Sequence, residues 1–429
     1  MKVLHLATYD NFGGAARAAY RQHLALRELG GDSRMLVRHK HSDDPAVTVC
    51  PCDRGLPSRL SRALRRKWIA SKEQKSRSHG GTIFRGLTDP RADLLRQMTG
   101  EMTDADVINF HKTEHFADIP GLFQHLPISK PVVITLHDLS PITGGCDYPC
   151  DCRRFEEGCG ACPILGLGTA NDYSREIFRL RQSAYATRLP ERFAFVANSR
   201  WTGEQARRSG LTKGRRVEVI HYGLDQNVYS PQKREEARLA LGIAREEEVL
   251  CFAAQDLRLQ HKGGHCLAEA LAVVAKRGPI RLLTMGGGQF KAPPQCRHTH
   301  FGRVESDHLQ ALLYRAADVF IIPSLEEAFG QTALEAVACG TVVAGFRVGG
   351  IVDIVQDGLN GRLVARGDTG ALSQAIVQLL KDDEMRSRWQ AAAAGWVNDR
   401  FSYARNAAAY TALYESLLRN DAPSCQSGN

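Results

Sequence analysis

The chain has 429 residues, a net charge of +9, and hydrophobic and charged contents of 43% and 24%. That length exceeds one ordinary core and predicts two domains of roughly 200 residues each, with the composition of a soluble globular protein. No apolar run reaches the ~18 residues a membrane-spanning helix needs, and the short, interrupted start Met1–Thr8 reads as a buried strand rather than a signal peptide, so a cytoplasmic protein is expected.

The excess of positive charge favours an anionic partner: phosphates, a phospholipid surface or nucleic acid. The basic segments lack interleaved aromatics and any nucleic-acid motif, so no nucleic-acid partner is expected. Twelve cysteines with no export signal should be mostly reduced.

In chain order, the first strand runs into Tyr9-Asp10-Asn11-Phe12-Gly13-Gly14 and a helix from about Ala15 to Leu29. Its apolar positions Ala16, Ala19, Tyr20, Leu24 and Leu26 suit one buried face. Strand, Gly-Gly turn and helix open a Rossmann-like unit, or Gly13-Gly14 is a plain tight turn. The spacing G-x-G-x-x-G is absent, so a dinucleotide cofactor is not supported. The stretch from Cys50 to about Arg85 is the most basic, with Arg54, Arg59, Arg62, Arg65, Arg66 and Lys67 among its cations. Leu60, Leu64, Trp68 and Ile69 recur there at helical spacing. Such a helix can lie on an anionic bilayer, at the inner membrane face, or pack its stripe on its own domain.

Val107–Phe110 and Val132–Leu136 read as strands, the second ending in His137-Asp138. A histidine at the carboxyl end of a parallel strand faces the ligand crevice and can donate to a sugar or phosphate; it can also bond its own loop. The loop 143–165 packs five cysteines. Cys146-x-x-x-Cys150 and Cys159-x-x-Cys162 each have the spacing of a zinc half-site, which leaves Cys152 spare. Any such zinc would be structural, and disulfides are the rival explanation. Phe193–Ala197 and Val217–Ile220 complete this half, and Tyr222–Pro231 reads as a linker.

Val249–Ala254 starts a second strand–helix alternation. The loop after it carries Arg258 and Lys262 before Gly263-Gly264, and two cations in a glycine-bearing loop at a strand end can neutralise a diphosphate. A strand then leads into Gly286-Gly287-Gly288, and another into Gly302. The apolar run Val319–Ile322 leads through Pro323–Gly330 into a helix from Gln331. Amides at Phe329, Gly330, Gln331 and Thr332 fall where a helix begins and can bind an anion or hydroxyls. Glu327 and Glu335 are eight positions apart, so both carboxylates can face one crevice. Together these groups suit a nucleotide-sugar. The plainer reading makes Glu327 a capping acid and Glu335 a solvated face residue. Three further helices and a polar tail from Asn420, expected to be disordered, end the chain.

Glu327-x7-Glu335 with Phe329-Gly330, the Lys262-Gly263 loop, the linker and the Asn360-Gly361 turn resemble the family-4 retaining glycosyltransferases of GT-B fold. His137 through the cysteine loop resembles the exopolysaccharide and colanic-acid-type subgroup. The resemblance implies an α/β GT-B architecture, two Rossmann-like domains facing across a cleft. An acceptor-binding domain would span 1–222, a nucleotide-sugar-binding domain 223–400, and a crossing helix and tail 401–429. It implies that Glu335 holds the ribose hydroxyls, Glu327 the donor sugar, and Arg258 and Lys262 the diphosphate. Amides at Phe329 to Thr332 would bind sugar and phosphate, with Gly302 also on the donor side. His137 would touch the donor sugar and Gly13-Gly14 would line the phosphate and acceptor side. The acceptor would be a saccharide or a polyprenyl-linked saccharide, and catalysis would need no metal. Arg258 stands one residue closer to Lys262 than is usual, and Val342 stands where proline is common. A nucleotide-sugar epimerase of GT-B fold and a non-catalytic sugar-binding relative are the competing functions.

Overall fold

The structure, a computed structural model, describes residues 1–50, 64, 67, 100–114, 116, 117, 119–166 and 168–419. The basic stretch read as an amphipathic helix, apart from Leu64 and Lys67, and the tail from Asn420 lie outside the described residues. The chain divides into two compact units, one of Met1–Gly223 with Tyr403–Asn429 and one of Leu224–Ser402.

The first unit is built on a parallel sheet of seven strands in the order β3-β2-β1-β4-β5-β6-β7. These are Lys2–Tyr9 (β1), Asp32–His39 (β2), Val47–Val49 (β3), Val107–Phe110 (β4), Val132–Leu136 (β5), Phe193–Ala197 (β6) and Arg216–Val219 (β7). Strands β4, β5 and β6 are buried at every residue. Continuous apolar runs of this kind fit a parallel sheet covered on both faces. Alternate residues separate into two cores. Leu4, Leu6, Ile108 and Phe110 pack with Phe123 and Tyr185. Val3, Val107 and Val133 pack with Leu413, Tyr414 and Leu417. The last helix, Tyr403–Arg419, therefore belongs to this unit. The Tyr414 hydroxyl accepts from Asn109 Nδ2 at 2.8 Å and Gln22 Nε2 at 3.0 Å, which ties that helix to β4 and to the helix Gly14–Glu28.

The second unit has a six-stranded parallel sheet in the order β10-β9-β8-β11-β12-β13. Its strands are Val249–Asp256 (β8), Ile280–Gly287 (β9), Cys296–His300 (β10), Val319–Ile322 (β11), Val342–Phe346 (β12) and Gly361–Val364 (β13). Strand order reverses between β8 and β11 here, and between β1 and β4 in the first unit. Ligands of doubly wound sheets bind beyond the carboxyl ends of the strands at such reversal points. Among the described residues no helix is long and apolar enough to cross a membrane.

Candidate functional site

In the second unit the reversal point carries Lys262 and Glu327. Lys262 closes the short turn Gln260–Lys262 after β8, and Glu327 lies in the loop after β11. Lys262 Nζ donates to Glu327 Oε2 at 2.7 Å, and the two side chains are 19% and 12% exposed. The loops are held at fixed spacing by backbone contacts. The Leu325 amide donates to the His261 carbonyl at 2.7 Å, and the Gly350 amide to the Glu327 carbonyl at 3.0 Å. Gly263 has φ +69°, and a Cβ there would run into the Pro323 carbonyl oxygen. Gly349, at φ +48°, is in the same position against the Glu327 carbonyl. Glycine is required at both points because side chains would force the loops apart.

Gly330, at φ +101°, precedes the helix Gln331–Ala338, and no side chain caps that helix end. Glu335 lies on this helix and is only 3% exposed. Its Oε2 accepts from the Tyr314 hydroxyl at 3.0 Å. Burial, then the Glu335 carboxylate, raises the Tyr314 phenol well above its usual range, so it stays a donor. A buried, hydrogen-bonded carboxylate differs from the solvated face residue of the plainer reading.

Arg258 is 70% exposed and forms a bidentate pair with Asp256, Nε to Oδ1 at 3.0 Å and Nη2 to Oδ2 at 2.6 Å. The guanidinium hydrogen bonds lower the Asp256 carboxyl to about 2. The Gly286–Gly288 turn packs beside this pair. A Cβ on Gly288 would crowd Arg258 Nε and Asp256 Oδ1, and one on Gly287 would meet Arg303 Nε. Gly302 lies beside the same turn, its carbonyl accepting from the Gly286 amide at 2.7 Å. Asp256, Arg303 and Tyr314 were not singled out from the sequence. Asp256 is two residues from Arg258, whereas Arg303 and Tyr314 lie on other elements from the residues they neighbour, so spacing carries no signal for those two.

In the first unit, Gly13, at φ +85°, precedes the helix that begins at Gly14. His137 follows β5, and both of its ring nitrogens are engaged. Nε2 meets His111 Nδ1 at 2.9 Å, and Nδ1 meets the Tyr222 hydroxyl at 2.6 Å. His111 Nε2 in turn meets His5 Nδ1 at 2.9 Å, and Asn198 Nδ2 donates to the Tyr222 oxygen at 2.8 Å. Burial first, then the neighbouring histidines, holds His5 and His111 well below their usual range, and burial lowers His137 to about 3. Three neutral rings in series carry their protons in one direction, either each Nδ1 toward Tyr222 or each Nε2 toward His5. The chain follows from the sheet order, since β4 lies between β1 and β5. In the sequence these histidines are 106 and 26 positions apart.

The cysteine loop differs from expectation in its grouping. Cys150 is exposed, with φ +51°, whereas Cys152 lines a small cavity with Cys146, Cys159 and Cys162. Of the expected half-site Cys146-x-x-x-Cys150, only Cys146 lines that cavity. As placed, no three His, Cys, Asp or Glu side chains among the described residues stand at metal-ligand spacing.

Residues 247–382 match the family model of glycosyl transferases group 1. That segment holds Arg258, Lys262, Gly302, Glu327 and Glu335. The D-inositol 3-phosphate glycosyltransferase of Corynebacterium urealyticum is 35% identical over 221 residues, 47% of this chain and 51% of that protein. The Mycobacterium avium protein of the same name is 32% identical over 217 residues, 48% and 50% of the two chains. The chain thus matches about half the length of these curated relatives. HepE of Anabaena, solved with UDP and glucose, superposes with a TM-score of 0.66 at 18% identity, over 97% of this chain and 100% of that one. WaaG, a glycosyltransferase involved in lipopolysaccharide biosynthesis, superposes with a TM-score of 0.60 at 17% identity, over 96% and 99%. The two α/β units, each on a parallel sheet, are those of the GT-B fold.

Proposed function

We propose that this protein is a nucleotide-sugar-dependent glycosyltransferase whose second unit grips the donor. The observation that carries this reading is the Lys262–Glu327 pair at 2.7 Å, at the reversal point of the second sheet and inside the group 1 segment. The two charges neutralise one another in the absence of donor. With donor bound, Lys262 and Arg258 would turn to the diphosphate and Glu327 to the sugar hydroxyls. Glu335, held by Tyr314, would take the ribose hydroxyls, and the amides from Phe329 to Thr332 would face sugar and phosphate. Glycosyl transfer requires the leaving diphosphate to be stabilised as its C–O bond breaks, and preorganised cations do this most effectively where water is excluded. The site residues need no metal for that task.

The relatives and neighbours support the donor class: HepE has been solved with UDP and with UDP-glucose. The transfer we propose retains the anomeric configuration, as the resemblance implies, by same-face attack rather than covalent double displacement, because Glu327 pairs with Lys262 instead of standing as a nucleophile. The departing phosphate would accept the acceptor's proton on the same face. The acceptor class is a saccharide or lipid-linked saccharide, in exopolysaccharide or cell-surface glycan synthesis. Turnover of a panel of nucleotide-sugars, UDP-sugars first, tests the activity. Lys262→Ala should remove transfer while leaving the melting temperature unchanged. Turnover equal to wild type would refute the assignment. Inversion at the anomeric carbon by NMR would refute the mechanism, and product formed without any acceptor would favour an epimerase.

A further inference from the structure

We propose that Cys146, Cys152, Cys159 and Cys162 form a structural tetrathiolate zinc site in the first unit, with Cys150 outside it. All four line one cavity together with Gly144, Phe155, Pro163 and Ile164, and Cys150 does not. Cys146 and Cys162 are each 9% exposed. Cys146, Cys152, Cys159 and Cys162 are in no disulfide, so none competes for these sulfurs.

The backbone favours thiolates at two of them. The Gly144 amide donates to Cys159 Sγ at 3.2 Å. The backbone of Ile164 and Leu165 lies beside the Cys162 sulfur. A neutral thiol is a weak acceptor, whereas a metal-bound thiolate gains from each such donor. The Cys159–Cys162 turn is also braced before any metal enters. Asp172 caps the helix Tyr173–Ala186 and accepts from the Cys162 amide at 2.6 Å, and the Gly160 amide donates to Ser174 Oγ at 3.0 Å. A Cβ at Gly144 would meet the Ser174 carbonyl, and one at Gly160 the Ala170 carbonyl, so the loop lies tight on this helix end.

Four thiols binding Zn²⁺ release four protons and leave the site with two net negative charges. Cations stand ready for that charge. Arg154 lines the cavity, Arg175 lies against Gly158 and Gly160, and Arg181 acts on Cys159. The thiols stand outside ligand spacing as placed, so binding requires the sulfurs to draw together around the ion. The ion would pin the loop that Leu139 and Asp147 tie to the end of β5, amide to carbonyl at 3.0 Å.

The test is the zinc content of the full chain purified under reductant. Wild type and Cys150→Ser should each hold about one zinc per chain, released by an organomercurial, and Cys152→Ser should hold none. In case Cys152→Ser does not fold, Co²⁺ titration of the wild-type chain reads the donors directly, and a tetrahedral four-thiolate spectrum is expected. No zinc in the wild type would overturn the proposal. So would zinc lost from Cys150→Ser but kept in Cys152→Ser, a cobalt spectrum of fewer than four thiolates, or a disulfide among these cysteines by mass spectrometry of the untreated protein.

Discussion

The reversal points of the two sheets are built from opposite chemistries. In the second unit it holds a cation and a carboxylate in contact, Lys262 and Glu327 at 2.7 Å, with Arg258 paired to Asp256 nearby. In the first unit it holds neutral rings, His5, His111 and His137, hydrogen-bonded in series and closed by Tyr222. The same strand–loop–helix architecture thus supplies strong fixed charge in one place and polar groups without charge in the other. Fixed charge suits a diphosphate, whose affinity comes from charge-assisted hydrogen bonds. Neutral rings linked in series suit a place whose shape must hold while its charge does not change.

The largest effect that would sharpen this contrast is catalytic. Lys262→Ala should lower kcat by about 10²–10³-fold, the usual loss for one preorganised transition-state donor, roughly 3–4 kcal/mol. His111→Phe, which removes a ring from the neutral series without removing charge, should lower it far less. Equal losses in a steady-state transfer assay would erase the distinction.

The next effect is on stability. Gly263→Ala places a Cβ against the Pro323 carbonyl at φ +69°, whereas Gly302→Ala, at φ +64°, meets nothing within 4 Å. Gly302→Ala should cost only the left-handed strain of about 1–2 kcal/mol. Gly263→Ala should cost more, roughly 3 kcal/mol, because backbone must move. Urea unfolding of the two variants measures the difference, and equal midpoints would show that the two loops are not held as described.

Tyr314→Phe comes third. It withdraws a donor from the buried Glu335 carboxylate and should destabilise the fold by about 1–3 kcal/mol. Melting of Tyr314→Phe beside Tyr314→Phe/Glu335→Gln checks it, since the double variant should recover part of the loss.

How far the sequence foretold the site follows the same division. The second unit's loops were legible because each functional group sits within a few residues of a glycine that marks its turn, as Lys262 does before Gly263 and Glu327 before Gly330. The strands were legible as apolar runs. What could not be read were partners brought together by sheet order. Tyr314 reaches Glu335 from another helix, and His5 reaches His111 only because β1 and β4 are neighbours. Cysteine spacing alone did not show that Cys152 lines the cavity and the exposed Cys150 does not.

The remaining effect is a pH dependence belonging to the first unit. Burial lowers His5, His111 and His137, and lowers His23 to about 4. Their unfolded values lie near 6.5, so the unfolded state binds more protons as pH falls through that value. Stability is therefore full above about pH 6.5 and is lost below it, by about 1 kcal/mol per such histidine at about pH 5.5. Hydrogen exchange should show the first unit loosening before the second across this window. Uniform loosening, or a flat urea midpoint from pH 7.5 to 5.5, would break the contrast.

Nucleoside diphosphate affinity, measured by calorimetric titration of wild type and Lys262→Ala with UDP, tests the charged reversal point most directly. A Kd raised by at least about tenfold in the variant, one lost charge-assisted contact, is the expected result. Unchanged affinity would place the diphosphate somewhere other than beside Lys262 and contradict the account.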